Sequence, residues 1–363
     1  MAKRLHSDRI LFVTTLALVV FGLVMVFSSS AVISSEQFGS AYVFLMRQLV
    51  WAVAGLVAML MVMRVDYPHY RHPAFVFLAL SVSLALLVLV LFADRTHNTH
   101  RWFRWGPVSF QPSELSKPVL IVFLAWFLER RIASVNDLLH TVLPAGLVVG
   151  TAAALIVREP DLGTAATVVF VACGLFFLAG LRLRYFLAPV VAAVPLFYLL
   201  VMRVPYRWKR VEGFLDPYAD PQGKGFHMIQ SLIAVGTGGL GGLGLMQGRQ
   251  KLFYLPAPHT DFIFAVAAEE LGLIGAAAVV ACFGVVLWRG LAASLRAPDL
   301  FGQFLAAGLT LMIVAQAFIN ISVVIGIMPT KGIPLPFISY GGSSLLFNLL
   351  AMGVLLNITQ YAE

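Results

Sequence analysis

The chain has 363 residues, of which 60% are hydrophobic and only 12% are charged, and its mean hydropathy is +0.90. A water-soluble globular domain carries about twice that charged fraction. The composition therefore excludes a soluble enzyme and indicates an integral membrane protein. Its two cysteines, Cys173 and Cys282, both fall in apolar runs. We expect them to pack in the interior rather than to form a disulfide framework or a metal site.

Ten apolar runs are long enough to cross a hydrocarbon core of roughly 30 Å as helices. A membrane β-barrel would show short alternating segments instead. We therefore predict an all-α integral membrane protein with ten transmembrane helices, in which residues 1–363 form a single polytopic membrane domain. The runs lie near residues 10–33, 43–63, 73–92, 113–128, 139–157, 163–180, 184–202, 262–288, 301–327 and 341–360.

Basic residues predict the orientation of these spans. Lys3, Arg4 and Arg9 precede the first run, which is too long for a signal-peptide core, so we expect an uncleaved first span. If both termini are placed on the cytoplasmic side, the inner segments carry eleven basic residues. The three short outer loops then carry only Arg158 and Lys331. This asymmetry predicts that both termini lie on the cytoplasmic side.

Most of the other basic residues fall in two outer segments, four of them between 93 and 117 and seven between 203 and 261. Such an excess suggests an anionic ligand on the outer surface, although solvated loop charge explains it equally well from composition alone. In the first segment Arg101, Trp102 and Trp105 interleave cations with aromatic rings. That pattern suits binding of a lipid or sugar headgroup, and it suits a structural interface belt just as well.

Residues 203–261 form the longest segment without a span, and we predict a large extracytoplasmic loop between spans 7 and 8. Its portion FHMIQSLIAVGTGGL is apolar over too short a distance to cross the bilayer, so we expect a re-entrant or interfacial helix there. GTGGLG formally matches the G-x-G-x-x-G pattern of dinucleotide sites. No strand precedes it, however, so we predict no nucleotide binding.

Two further segments place ionisable residues at the start of a span. Glu114 and Lys117 are three residues apart at the start of span 4, so they share one helix face. They form either a self-neutralising ion pair or part of a site. Asp261 leads into span 8 and is either a helix N-cap or a carboxylate kept ionised for catalysis or metal binding. Glu269 and Glu270, deeper in that span, require structural partners or a polar cavity.

The chain resembles the SEDS family (shape, elongation, division and sporulation proteins). The resemblance rests on the stretch NISVVIGIMPTKGIPLPFISYGGSS from Asn320 to Ser344, on QPSELSK from Gln111 to Lys117, on REPDLGTA and on the His-Thr-Asp-Phe motif at 259–262. It implies a peptidoglycan glycosyltransferase of the bacterial cytoplasmic membrane. Such an enzyme polymerises lipid II, a disaccharide-pentapeptide on undecaprenyl diphosphate, by an inverting displacement.

The resemblance also implies roles for individual residues. Asp261 is associated with catalytic activity in the family, and we expect it to act as general base or to hold a divalent cation, Mg or Mn. Glu114 would orient Lys117 or help bind the metal, while Lys117 and Lys331 would stabilise the departing diphosphate. The predicted substrate-binding residues are Arg101, Trp102, Trp105, Arg158, Asp161, Lys331 and Ser343.

The expected partners are a class B penicillin-binding protein, lipid II and membrane lipids, with no nucleic acid. The short terminal tails resemble the members of the family that act in cell elongation more than those that act in division. Two alternatives stay open at this level. A lipid II flippase would need the same cations and spans, and a non-catalytic scaffold would tolerate loss of the charged residues.

Overall fold

The computed structural model describes residues 7–93, 100–106, 108–252 and 254–362, without the side chains of Trp105, Val108 and Ala188. Within this part the chain forms twelve α-helices and one small sheet. The helices are α1 (Arg9–Phe38), α2 (Val43–Val62), α3 (Pro73–Ala93), α4 (Pro112–Arg131), α5 (Leu143–Arg158), α6 (Leu162–Leu178), α7 (Leu187–Phe197), α8 (Pro205–Leu215), α9 (Phe226–Thr237), α10 (Ile263–Arg296), α11 (Leu300–Val324) and α12 (Gly342–Thr359).

The predicted fold class, an all-α multi-pass membrane protein, is confirmed. Eight helical stretches among the described residues are long and apolar enough to cross a membrane. The two other predicted spans are α6, which has 17 residues, and α4, which has 20 residues but carries several charges. The count of ten therefore stays a prediction. The eight stretches are Arg9–Phe38, Val43–Val62, Pro73–Ala93, Leu138–Arg158, Leu183–Met202, Ile263–Arg296, Leu300–Val324 and Gly342–Thr359.

Helices α11 and α12 form the centre of the bundle, since 72% and 83% of the residues in their most apolar stretches are buried. Small residues allow neighbouring helices to approach them closely. A Cβ atom on Gly353 of α12 would lie 2.7 Å from the carbonyl oxygen of Met59 in α2. In the stretch Leu183–Met202, in contrast, no described residue is buried. This span is therefore peripheral to the packed bundle.

Helix α10 is broken at Gly272, which has φ +66° and ψ −166°. A break frees backbone groups, which must find other partners inside a membrane. The glycine-rich loop supplies them: the Leu243 and Gly244 amides donate to the carbonyls of Glu269 and Glu270, at 3.1 and 2.9 Å. Backbone amides of the glycine-rich loop at residues 236–248 therefore replace the missing helix hydrogen bonds.

Asp8 and Thr359, which lie near the two termini in sequence, meet at the same end of the bundle. The Asp8 amide, just before α1, donates to Thr359 Oγ1 in the last turn of α12 at 3.0 Å. Asp8 also pairs with Arg289, near the end of α10, at 2.5 Å. Because Asp261 precedes the start of α10, it lies at the opposite end of the bundle from both termini.

A two-stranded antiparallel ribbon, β1 (Phe103–Trp105) and β2 (Val108–Phe110), leads into α4. The Phe110 ring lies 5.8 Å from that of Phe347 in α12, so the ribbon is fixed to the central helix. The segment between spans 7 and 8 contains α8 and α9. The predicted helix at FHMIQSLIAVGTGGL is thus present as α9, and its position relative to a bilayer stays a prediction.

Candidate active site

Asp261 lies where two lobes of a cavity meet, at the end of the bundle opposite the termini. The lobes measure about 390 and 290 Å³. Both are lined by Asp261, Tyr206 and Arg210, and by the loop between α11 and α12 at residues 330–332. The smaller lobe extends past Phe197 and Val201 of the peripheral span. A ligand in either lobe would therefore contact the same carboxylate.

The Asp261 side chain is half-buried and makes no hydrogen bond or ion pair with any other described residue. The N-cap interpretation is wrong, because Phe262 occupies the cap position of α10 and no side chain caps it. Among the described residues no backbone amide donates to the Asp261 carboxylate, so nothing of that kind lowers its pKa. Burial raises the pKa of Asp261 to about 6, and the charge of Asp161 adds to this, while Arg210 and Arg101 oppose it.

Cations outnumber carboxylates around the two lobes. The basic residues are Arg101, Arg207, Lys209, Arg210, Lys224 and Lys331, and the acidic residues are Asp161, Asp220 and Asp261. An excess of positive charge in a concave, partly desolvated site favours a ligand with several negative charges, such as a diphosphate.

Helix α8 supplies the cations that the sequence did not single out. Arg207 and Arg210 are three residues apart, so they share one face of the helix. Arg207 donates to the carbonyl of Leu200 at 2.8 Å. Arg210 lies 4.5 Å from the Tyr206 ring centroid. The sequence signal for these two residues was the basic excess in residues 203–261. The three-residue spacing within Arg-Trp-Lys-Arg would have shown that Arg207 and Arg210 share one helix face.

The loop that carries Lys331 is held next to Asp261 by hydrogen bonds from Asn320 of α11 and from Ser339. The Asn320 side chain donates to the carbonyls of Asp261 and Ile333, at 2.8 and 2.7 Å. Ser339 Oγ donates to the Thr260 carbonyl at 2.6 Å. A Cβ on Gly332 would approach Asp261 Oδ2 to 3.0 Å, so glycine keeps the space in front of the carboxylate open. Burial lowers the pKa of the Lys331 ammonium.

Glu114 and Lys117 do not line the two lobes, contrary to the expectation that they share a cavity with Asp261. Their ion pair measures 2.8 Å, and both side chains are only 3% exposed. The physical reason is that their shared face of α4 points into the bundle toward α11, where Lys117 Nζ donates to Gln316 Oε1 at 2.7 Å. Gln316 in turn donates to the Pro334 carbonyl at 2.9 Å. The pair therefore supports the loop that carries Lys331.

Arg101 and Asp161 do reach the smaller lobe. The Arg101 guanidinium donates to the carbonyls of Glu159 and Pro160, at 2.7 and 2.5 Å. Asp161 caps α6 by accepting from the Thr164 amide at 3.0 Å, and it also lines the smaller lobe. Burial, followed by the charge of Asp161, raises the pKa of Glu159 to about 9.

The other predicted substrate-binding residues are not brought to the cavity. Arg158 is exposed at the end of α5, and Trp102 is half-buried away from both lobes. Ser343 is fully buried in α12, facing neighbouring helices. The side chain of Trp105 lies outside the described residues. Arg158, Trp102 and Ser343 lie outside the cavity because of the way the spans pack against each other. Motifs in the loops do not determine that packing.

Glu269 and Glu270 have structural partners, as one of the two sequence interpretations predicted. Glu269 accepts from the Arg249 and Gln250 amides, at 2.8 and 3.2 Å. Glu270 pairs with Lys251 at 2.6 Å, and it accepts from Ser28 of α1 at 2.7 Å. The two carboxylates thus attach the glycine-rich loop to α10 and α1, and neither lines the cavity of Asp261.

The residues around Asp261 fit a divalent cation held mostly by substrate and water. Among the described residues no group of three or more histidine, cysteine or carboxylate side chains could hold a metal. Mg²⁺ is commonly bound through one or two carboxylates together with substrate phosphates. Asp261 has free oxygens for this role, while those of Asp161 already accept from Thr164 and Gln111. Glu114 does not fit, because it is buried against Lys117 outside the cavity.

The fold and the site together define a multi-pass membrane protein with a charged cavity at one end of its helical bundle. The family of cell cycle proteins that includes FtsW, RodA and SpoVE matches residues 8–363. The chain belongs to this family, the SEDS family.

Curated relatives and solved structures agree with this assignment. Stage V sporulation protein E of Bacillus subtilis is 44% identical over 99% of both chains. The protein named probable peptidoglycan glycosyltransferase FtsW of Geobacter metallireducens is 42% identical over 97% of this chain and 94% of its own.

Among solved structures, the rod shape determining protein RodA of Thermus thermophilus is 28% identical, with a TM-score of 0.72 over 97% of this chain and 96% of its own. A chain of a peptidoglycan synthase complex, described as coordinating polymerization and crosslinking, is 33% identical. Its TM-score is 0.79 over 97% of both chains. The likeness thus extends over nearly the whole chain.

Proposed function

We propose that this protein is a peptidoglycan glycosyltransferase that polymerises lipid II on the outer face of the bacterial cytoplasmic membrane. The observation that carries the proposal is the Asp261 carboxylate, which has no partner among the described residues and lies among six cations where two lobes meet. The names of the FtsW relatives and of the synthase complex support the same activity.

Asp261 is the general base in this proposal. A carboxyl whose pKa is about 6 is ionised at neutral pH, yet it is more basic than an exposed aspartate. It takes the proton of the acceptor sugar hydroxyl as that oxygen bonds to the anomeric carbon of the donor. The bond from this carbon to the diphosphate oxygen breaks on the opposite face, with inversion, and undecaprenyl diphosphate leaves.

The basic residues stabilise the charge that develops on the leaving diphosphate. Arg101, Arg207, Arg210 and Lys331 all line the smaller lobe, which extends toward the peripheral span. A lipid-tailed diphosphate could enter from that side while its sugars reach Asp261. Lys117 acts on this lobe only through Gln316 and the loop of Lys331.

A divalent cation, Mg or Mn, would bind at Asp261 and supply further positive charge for the diphosphate. Removing divalent cations with a chelator is expected to slow polymerisation, and adding either metal back is expected to restore it. Polymerisation at an unchanged rate in chelator would contradict a cation requirement.

The finer cellular role is proposed to be cell elongation, in complex with a class B penicillin-binding protein. The synthase complex among the structural relatives supports such a partner, and the likeness to the rod shape determining protein RodA supports elongation. The identity to SpoVE and FtsW proteins favours a second candidate role in division or sporulation. Depletion of the protein in its native cell separates the two roles. Loss of rod shape would support a role in elongation. Filamentation or failed sporulation would contradict that role.

The activity itself is tested with the purified full chain, its class B partner and lipid II in detergent, where no membrane separates two sides. We expect long glycan strands on gels, with none from the partner alone. A flippase would produce no polymer under these conditions. Absence of polymer, with translocation of lipid II in sealed vesicles, would therefore overturn the enzyme assignment in favour of transport.

A further inference from the structure

A second, smaller cavity lies at the end of the bundle that holds both termini. Its volume is about 160 Å³, and it is enclosed by the start of α1, the last turns of α10 and the end of α12. Asp8, Arg289, Arg296 and Thr359 supply its polar lining. It is on the opposite side of the bundle from Asp261, and the proposed glycosyltransferase chemistry does not use it.

The charges in this cavity are not balanced. Asp8 Oδ2 accepts from Arg289 at 2.6 Å, and its Oδ1 accepts from the Leu11 amide at 3.0 Å, so both carboxylate oxygens are occupied. Arg296 makes no hydrogen bond, ion pair or ring contact with the described residues. One guanidinium of the described lining is therefore left with its donors directed to solvent or to a ligand.

Helix α10 places this cation beside a lipid-facing surface. Arg289, Ala293 and Arg296 follow the i, i+4, i+7 spacing of one helical stripe, and Trp288 and Leu295 lie on the neighbouring stripe. The Trp288 and Leu295 side chains are 63% and 83% exposed. Exposed tryptophan and leucine beside arginine are typical of a helix face at the membrane interface.

We propose that this cavity binds the phosphate of an anionic membrane lipid, with Arg296 as its main ligand. Arg289 assists through the donor not used by Asp8, and the acyl chains lie along Trp288 and Leu295. Ala292 and Ala293 line the cavity without filling it, which leaves room for a headgroup. Basic pockets between helices on the cytoplasmic side suit anionic headgroups, and the proposed orientation places this end on that side.

The proposal is tested by native mass spectrometry of the purified full chain, given equal amounts of phosphatidylglycerol and phosphatidylcholine. We expect wild type to retain phosphatidylglycerol preferentially and Arg296→Gln to bind it about fivefold more weakly. Arg131→Gln is the matched control. Arg131 also ends a helix at this end of the bundle and is exposed, and it lines no cavity described here. We expect it to bind the lipid as wild type does.

Equal binding by wild type and Arg296→Gln would overturn the proposal, as would an equal loss in Arg131→Gln. An excess of inorganic phosphate separates a lipid from a free anion. If free phosphate displaces the lipid completely, the cavity is a general anion site and the lipid assignment is wrong. Polymerisation of lipid II by Arg296→Gln is expected to be unchanged in detergent, so failure of this proposal and failure of the glycosyltransferase proposal are distinguishable.

Discussion

A half-buried carboxylate without a partner is costly, and within the described part of the chain Asp261 is such a group. Its pKa of about 6 lies above the ordinary value of 3.8 because burial disfavours the charged form. Between these two pH values the folded protein binds more protons than the unfolded chain. Stability therefore falls as pH rises through this window, and the cost persists at neutral pH.

Asp261→Asn is consequently expected to melt at the same temperature as wild type or higher at neutral pH, because it removes a charge that burial disfavours. Near pH 4, where the folded wild-type carboxyl is protonated, the difference is expected to vanish. Thermal unfolding in detergent at several pH values measures both. A markedly lower melting temperature at neutral pH would show that Asp261 holds the structure together instead.

Glu114 and Lys117 behave in the opposite way, since each is buried and satisfied by the other. Removing one member leaves a buried charge without its partner, at a cost of about 3 to 5 kcal/mol. We expect Glu114→Gln to lower the unfolding free energy by about this amount, and we expect the double variant Glu114→Gln with Lys117→Met to recover much of it. Additive losses in denaturant unfolding would rule out this coupling.

At the scale of elements, the break in α10 depends on the loop that follows α9. Gly242 has φ +80°, and a Cβ there would lie 2.1 Å from the Glu270 carbonyl oxygen. This contact explains why a glycine-rich loop, which resembled a nucleotide motif, is required here. The sequence alone could not show it, because Gly272 lies inside the predicted span 262–288 and a glycine within a span does not by itself indicate a break.

Gly242→Ala is expected to destabilise the protein by at least about 2 kcal/mol, since the left-handed backbone conformation and the clash both oppose a side chain. Gly236→Ala is the matched control within α9, where a Cβ would meet no atom within 4 Å. We expect it to be neutral or to stabilise the protein by up to about 1 kcal/mol. Equal melting temperatures for the two variants would refute the role of the loop.

At the scale of the whole molecule, hydropathy predicted the membrane fold well. Apolar runs locate spans directly because bilayer thickness fixes helix length. The motifs also identified Asp261 and Lys331, which the structure brings to one cavity. The sequence assigned Glu114 to that cavity and overlooked Arg207 and Arg210. Which face of a helix meets which neighbour depends on packing between distant spans, and spacing within one helix does not determine it.

The central claim is that the Asp261 carboxylate performs the proton transfer in glycan polymerisation. Its most direct test is polymerisation of lipid II by Asp261→Asn with the class B partner, beside Glu36→Gln, an exposed carboxylate near the end of α1. The account predicts that Glu36→Gln polymerises as wild type does, and that Asp261→Asn makes no detectable glycan while melting no lower than wild type. Sustained polymerisation by Asp261→Asn would contradict it.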